Sequence, residues 1–432
     1  MTTQPSLLSL FRDPIRYFQF LDQRHGPVAE MKFGNRRFYL VHDPAVIHDF
    51  LVTQSPRFEK FPQVEPDHGL FGRGLLTSEE PLHLRQRHLM QPAFHRERLR
   101  GYAAQMVAST QALAADWPDS DEIDAAQSMN RLALDIVTRT LFSTAADHRA
   151  VEIAHELDIV LHALNRLVMP WGKLWLRAPL PSSRRYRLAL RRLNEIVHGF
   201  LAERRASGQR SEDLLGMLLD AGEAMSDAQI RDEVMTIFVA GHDTTANALT
   251  WTLYLLARHP EIQDRVAGEI LRLLRGRAAG FDDFPQLQAV EQVFAEALRM
   301  YPPVWILGRK ALEPYSFGSF HAERGAVLLV CMAVLHRSPA FFDEPDRFLP
   351  SRWANPTWPR YAYLPFGAGA RMCIGERFAW LEGVLCLATL LNGFRFEPLD
   401  DAPAVPLGLL TLRPKDGLRL RVTRRSVSNS PV

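Results

Sequence analysis

A mainly helical single domain with a small β portion is the fold class this sequence predicts, and three observations predict it. From about Asp43 to the 290s, apolar residues recur at helical spacing between Pro- and Gly-containing loops. Short runs near the N-terminus and beyond Pro302 read as strands separated by turns. One helical pattern opens at the capping box Ser226-Asp-Ala-Gln229 and runs to about His259, where Pro260 stops it. That is long for a globular helix and predicts a central one. No internal repeat or linker divides residues 1–432, so one domain is expected, its last ~10 residues a flexible tail.

The elements follow in order. After a helix-like start, Val28–Phe33 and Arg37–Val41 flank Gly34-Asn35 and predict a hairpin. Phe61 to Glu80, with Pro62, Pro66, Gly69, Gly72 and Gly74, predicts a long loop of the kind that often serves as a lid. His83-Leu-Arg-Gln-Arg87 lies in a helix-like stretch ending before Pro92. The break from Met169 to Pro181 separates two helical stretches and would expose Trp171, Trp175 and Leu176 at a surface. Arg184 to Arg205 carries many arginines on a helical pattern, read as a solvated face. Ala240-Gly241-His242-Asp243-Thr244-Thr245 falls inside the long pattern, where Gly and β-branched Thr weaken a helix and predict a kink. Glu296-Ala-Leu-Arg299 sets opposite charges at i and i+3 on one face. Short strands follow Pro302, then a glycine-rich loop entering an apolar helix, then a β-rich tail around Pro406 to Val422.

Composition bounds the function. A hydrophobic content of 47% supplies a sizeable core, and a net charge of +2 argues against nucleic acid as the main partner. Three cysteines give no disulfide framework and fit a reducing cytoplasm. No apolar run long enough to span a membrane and no signal peptide is evident, so no transmembrane anchor is expected.

The loop Phe366-Gly-Ala-Gly-Ala-Arg-Met-Cys373-Ile-Gly375 carries the chemistry. A cysteine where a helix begins is favoured as a thiolate and suited to a metal; the glycines let backbone approach something flat. Arg371 offers a forked cation to a carboxylate. A dinucleotide fingerprint would need glycine at 372, where Met stands, and a zinc site would need ligands clustered with Cys331 or Cys386, which are isolated. A reactive nucleophile or an inert core cysteine also fits, as does axial ligation of haem iron.

Phe366, Gly369, Arg371, Cys373 and Gly375 match the F-x-x-G-x-R-x-C-x-G signature of the cytochrome P450 family, which the chain resembles from end to end. Ala240 to Thr245 matches its A-G-x-[D/E]-T-T, Glu296 to Arg299 its E-x-x-R, and His83 to Arg87 an H-x-x-x-R form of a helix that often begins with Trp. The resemblance implies a long central helix over heme b (iron protoporphyrin IX). Cys373 would be the axial iron ligand, and Arg371, His83, Arg87, Phe366, Gly367 and Arg309 would hold the cofactor. His336 is a further propionate candidate. Asp243 and Thr244 would deliver protons during oxygen activation, Gly241 would leave room for dioxygen, and His242 has no catalytic role. Glu296 and Arg299 would form a buried structural network with Arg347.

The implied activity is a haem-thiolate monooxygenase acting with O2 on a hydrophobic terpenoid or carotenoid, fatty acid or steroid-like substrate. Substrate would face Phe61–Thr77, Leu167–Pro181, Val234–Thr245, Val304–Leu307 and Leu407–Leu412. Electrons would come from a ferredoxin or flavodoxin with an NAD(P)H-dependent reductase, since the 432 residues carry no nucleotide motif. A peroxide-driven or rearranging enzyme would usually lose the acid–threonine pair kept here, and a haem sensor would have no use for it.

Overall fold

Capping and apolar spacing turn most of the chain into helices, with strands confined to short segments, as the sequence predicts. The computed structural model describes residues 7–61, 69–143, 148–167, 172–208, 213–222 and 225–425. Two compact units are present. One comprises Met1–Glu65, Ala295–Cys373 and Pro406–Arg413; the other comprises Pro66–Phe294, Ile374–Val405 and Pro414–Val432.

The first unit is built on a five-stranded sheet. Its strand order is Val28–Phe33, Arg36–Val41, Val327–Val330, Leu307–Ala311, Phe58–Lys60. The expected hairpin pairs Phe33 with Arg36 across the two-residue turn Gly34-Asn35. Gly34 takes a positive φ of 58° there, which suits the twist of a tight hairpin and which glycine adopts without strain. Successive side chains enter opposite cores: Tyr39, Val41, Leu328 and Val330 join one cluster, while Leu40, Val327 and Leu329 join another. Burial on both faces explains why Val327-Leu-Leu-Val330 is continuously apolar rather than alternating.

Beside this sheet lies a buried charge network. Glu296 and Arg299 have no exposed side-chain surface and pair at 2.9 Å through two N–H donors. The third member is Arg352, whose Nε donates to Glu296 Oε1 at 3.0 Å, and not Arg347 as the sequence suggested. The Arg347 side chain points outward to Glu344 and is 64% exposed. Its contribution is the backbone carbonyl, which accepts from Arg299. The Trp353 indole and the Leu349 amide complete the donors to Glu296. A carboxylate removed from water needs such saturation to remain charged.

In the second unit, Asp227–Arg258 is one helix of 32 residues. Ser226 and Gln229 form the predicted capping box, each side chain accepting from the other's backbone N–H. The helix packs on Ala125–Leu141, and Arg96–Ala115 packs on Glu376–Gly393. A three-stranded sheet, Asp121–Asp124, Arg419–Arg424 and Phe394–Pro398, secures the tail. Ala240–Thr245 lies within this one helix, and the Thr244 hydroxyl donates to the Ala240 carbonyl at 2.6 Å.

The break after residue 167 contains the short helix Gly172–Arg177. Trp175 is buried there, its indole N–H held by Ser182 Oγ, and Leu174 is the exposed apolar residue at 73%. Leu176 is half-buried, and Trp171 lies outside the described residues. Arginines of the helix Pro181–Ser207 pair with acids of the same unit, Arg192 with Glu195 and Arg204 with Asp213. Gly69 to Thr77 runs through turns, as expected of a loop; Pro62 and Pro66 lie outside the described residues, as does the expected tail from 426. No helix among the described residues is long and apolar enough to cross a membrane.

The two arginines separate cleanly by experiment. Arg352→Ala removes a donor from a fully buried carboxylate and is expected to cost about 2–3 kcal/mol in urea unfolding. Arg347→Ala loses an exposed pair and should cost less than about 1 kcal/mol.

Candidate functional site

The residues that the sequence singles out fall on both units. On the first, residues 364–373 fold back on themselves through three backbone bonds. Gly367 N–H donates to Leu364, Met372 N–H to Gly369, and Cys373 N–H to Phe366 at 2.9 Å. Gly367 and Gly369 both take positive φ, 71° and 73°. At Gly369 a Cβ would also sit 1.9 Å from the Leu51 carbonyl, so this backbone lies directly on its neighbour. Phe366, Gly367, Arg371 and Cys373 thus share one short loop, ending three residues before the helix Glu376–Gly393. Arg309 stands half-buried on the strand Leu307–Ala311, where its Nη1 also donates to the Gly308 carbonyl.

The three cysteines differ in kind. Cys373 is exposed, whereas Cys331 and Cys386 are buried. Burial pushes the Cys331 thiol up to about 12. Burial, with the Glu382 carboxyl beside it, pushes the Cys386 thiol up further, and the Thr110 hydroxyl donates to its sulfur at 3.2 Å. Both stay protonated and unsuited to a metal. Among the described residues no cluster of three or more His, Cys, Asp or Glu could hold a metal ion. A metal bound here would need its remaining ligands from a prosthetic group, with one accessible thiol from the chain. Haem fits that donor set at Cys373.

His336, the weaker propionate candidate, is fully buried in this unit. Its Nε2 accepts the Leu364 amide at 3.1 Å, and burial lowers the imidazole to about 3. It is a neutral packing and hydrogen-bonding group.

The second unit carries the remaining candidates. Asp243 is buried on the long helix, and Asn247 Nδ2 donates both to its carbonyl at 2.8 Å and to its Oδ1 at 3.3 Å. Thr244 is half-buried. At Gly241 a Cβ would press on Val137 at 3.0 Å, so the glycine permits close packing on Ala125–Leu141. His242 is buried with no hydrogen-bond partner for either ring nitrogen among the described residues, and burial lowers its pKa. His83 and Arg87 occupy one face of the helix Leu82–Met90, where His83 is buried and bonded through Nδ1 to Glu80 at 2.8 Å.

Two acids were missed. Glu382 is fully buried, with its carboxyl pushed well up by burial and the Thr245 hydroxyl acting on it. Its signal was a lone acid inside the apolar run Ala379-Trp-Leu-Glu-Gly-Val-Leu385. Glu233, one turn into the buried part of the long helix, is the other.

A cytochrome P450 family model matches residues 6–420. The chain is 35% identical over 402 residues to the cyclooctat-9-en-7-ol 5-monooxygenase of Streptomyces melanosporofaciens, covering 91% of this chain and 87% of that protein. It is 35% identical over 428 residues to the pentalenene oxygenase of Streptomyces avermitilis, covering 96% and 94%. The crystal structure of a cytochrome P450DA heme domain superposes with a TM-score of 0.87 at 29% identity, covering 98% of this chain and 96% of that one.

The loop geometry makes a prediction. Gly369→Ala imposes a left-handed residue and a clash with Leu51, and should lower unfolding free energy by more than about 2 kcal/mol and reduce cofactor bound per chain. Gly101→Ala, in a helix with open space around it, should do neither.

Proposed function

This chain belongs to the cytochrome P450 family, and on that premise we propose that it is a haem-thiolate monooxygenase inserting one atom of O2 into an apolar terpenoid. The observation that carries the reading is the single accessible thiol, Cys373, on a glycine-strained loop at the start of a helix. Haem b, the cofactor of the family, supplies the binding and reductive activation of dioxygen when bound.

The chain's own groups have assigned tasks. Cys373 is the thiolate ligand. Arg371, Arg309, His83 and Arg87 hold the propionates by charge-assisted hydrogen bonds, and Phe366 and Gly367 give the flat ring its close approach. Asp243 receives protons from solvent and passes them to Thr244. The Asn247 amide orients Asp243 Oδ1 for this, and its burial limits stray water. Thr244 Oγ1 gives its hydrogen to the Ala240 carbonyl in the resting arrangement, which leaves its lone pairs to accept an incoming proton donor.

Apolar walls support a hydrophobic substrate. Trp305 is buried, and its indole N–H donates to the Leu409 carbonyl at 2.7 Å, while the Leu412 amide donates to Pro303 at 2.8 Å. These bonds tie the tail segment 407–412 to the strand entry at 303–307, two segments assigned to the substrate. Terpenoid is favoured within the hydrophobic classes because two relatives are named for such compounds. Electrons are assigned to a ferredoxin or flavodoxin with an NAD(P)H-dependent reductase. A cytoplasmic location belongs to the same reading and is supported by three cysteines with no disulfide. We read both units as one domain, supported by a family match that runs through both.

Two measurements test this. Reduced protein under carbon monoxide should show the red-displaced absorption of thiolate ligation; Cys373→Ser should abolish it and Cys386→Ser should leave it. The same band in Cys373→Ser would sink the assignment. Thr244→Ala should lower product formed per NAD(P)H consumed on the order of 10²-fold, with peroxide released instead.

A further inference from the structure

Three consecutive residues of the long helix grip one loop. Arg231 donates from Nη2 to the Gly69 carbonyl at 2.7 Å and from Nη1 to the Leu70 carbonyl at 3.0 Å. Asp232 accepts the Arg73 amide at 2.8 Å. Glu233 accepts the Leu75 amide at 2.8 Å. The fit is tight: a Cβ on Gly72 would fall 2.1 Å from the Asp232 carboxyl, and one on Gly74 would fall 2.2 Å from Thr236 Oγ1. From the other side Gln86 donates to the Arg73 carbonyl and accepts from Ser78. Residues 69–78 therefore lie on the helix as a seated lid.

Glu233 is the odd member of the three. Arg231 and Asp232 pair at 2.8 Å, but Glu233 is fully buried, and its Oε1 has no hydrogen-bond partner among the described residues. The groups acting on it are the Leu75 amide from the loop, Gln86 from the helix Leu82–Met90, and the Asp232 carboxylate on its own helix. The Leu75 amide and Gln86, beside a like charge, do not compensate an ionised carboxylate that water does not reach. The seated arrangement thus selects the protonated acid.

We infer that Glu233 is a proton-linked positioning residue: its neutral carboxyl seats the loop 69–78, and loss of the proton unseats it and loosens substrate. The link to substrate rests on the reading above, in which this loop faces the substrate; the link to the loop does not. Burial first, then Asp232, raises this carboxyl to about 8. A group raised in the seated state stabilises seating fully below the ordinary glutamate range, and that contribution is lost as pH rises through about 8.

Hydrogen exchange on the haem-loaded full chain tests the loop directly. The protection factor at Leu75, corrected for intrinsic exchange, should fall up to about tenfold per pH unit between pH 6 and 8 in the native chain. Glu233→Gln keeps an acceptor for Leu75 but cannot ionise, so its profile should be flat. Asp232→Asn, which keeps an oxygen for the Arg73 amide, should move the fall to lower pH. A flat profile in the native chain, or the same slope in Glu233→Gln, overturns the inference. The apparent affinity for farnesol, followed by the blue shift of the haem band, should track the same profile and lose its pH dependence in Glu233→Gln. Absence of farnesol binding at every pH counts against the substrate reading and leaves the exchange result to decide the clamp.

Discussion

The carboxylate of Glu296 is the point from which the cysteine loop is positioned. Five N–H donors converge on it, from Arg299, Arg352, Trp353 and Leu349. Arg299, locked by that contact, spends its other hydrogens on the carbonyls of His336, Pro345 and Arg347. His336 in turn accepts the Leu364 amide, Leu364 accepts Gly367, and Phe366 accepts Cys373. A series of hydrogen bonds and peptide links therefore leads from a buried ion pair to the backbone amide of Cys373. Buried ionic groups are weak evidence for stability in general. Here the arrangement fixes where several backbone carbonyls must lie, and so where the sulfur is presented.

Much of this was legible because the relevant signals are local. Gly367, Gly369, Arg371 and Cys373 lie within one loop, and a glycine requirement, a forked cation and a thiol can each be read where they stand. The capping box at Ser226 and the hairpin at Gly34-Asn35 are equally local. Arg352 was not legible for the opposite reason. Arg347 and Arg352 are both arginines near the same turn, and which one turns inward depends on where Glu296 lies in space. Trp175 was misread on the same ground: whether an aromatic in a loop is covered depends on Ser182 and Tyr186 from the following helix.

The long helix shows how polar residues survive in an apolar setting. Thr244, Thr250 and Thr252 donate to carbonyls four residues earlier, and Asn247 does the same toward Asp243. Each satisfies itself within its own helix and asks nothing of its neighbours. His242 and Glu233 on the same helix, and Glu382 on Glu376–Gly393, are not satisfied in this way, and all three are pushed by burial toward their neutral forms. No pattern of periodicity distinguishes these two groups, because the difference lies in what packs against them.

The tie between Trp305 and Leu409, with the Leu412 amide on Pro303, bears on how this scaffold can change. Leu410 lies between two fixed points, Leu409 held by the Trp305 indole and Leu412 by its own amide on Pro303, so its side chain can be exchanged while the contacts on either side persist. Such a tip is an interchangeable cassette: drift or laboratory selection can change its side chain without renegotiating the core behind it.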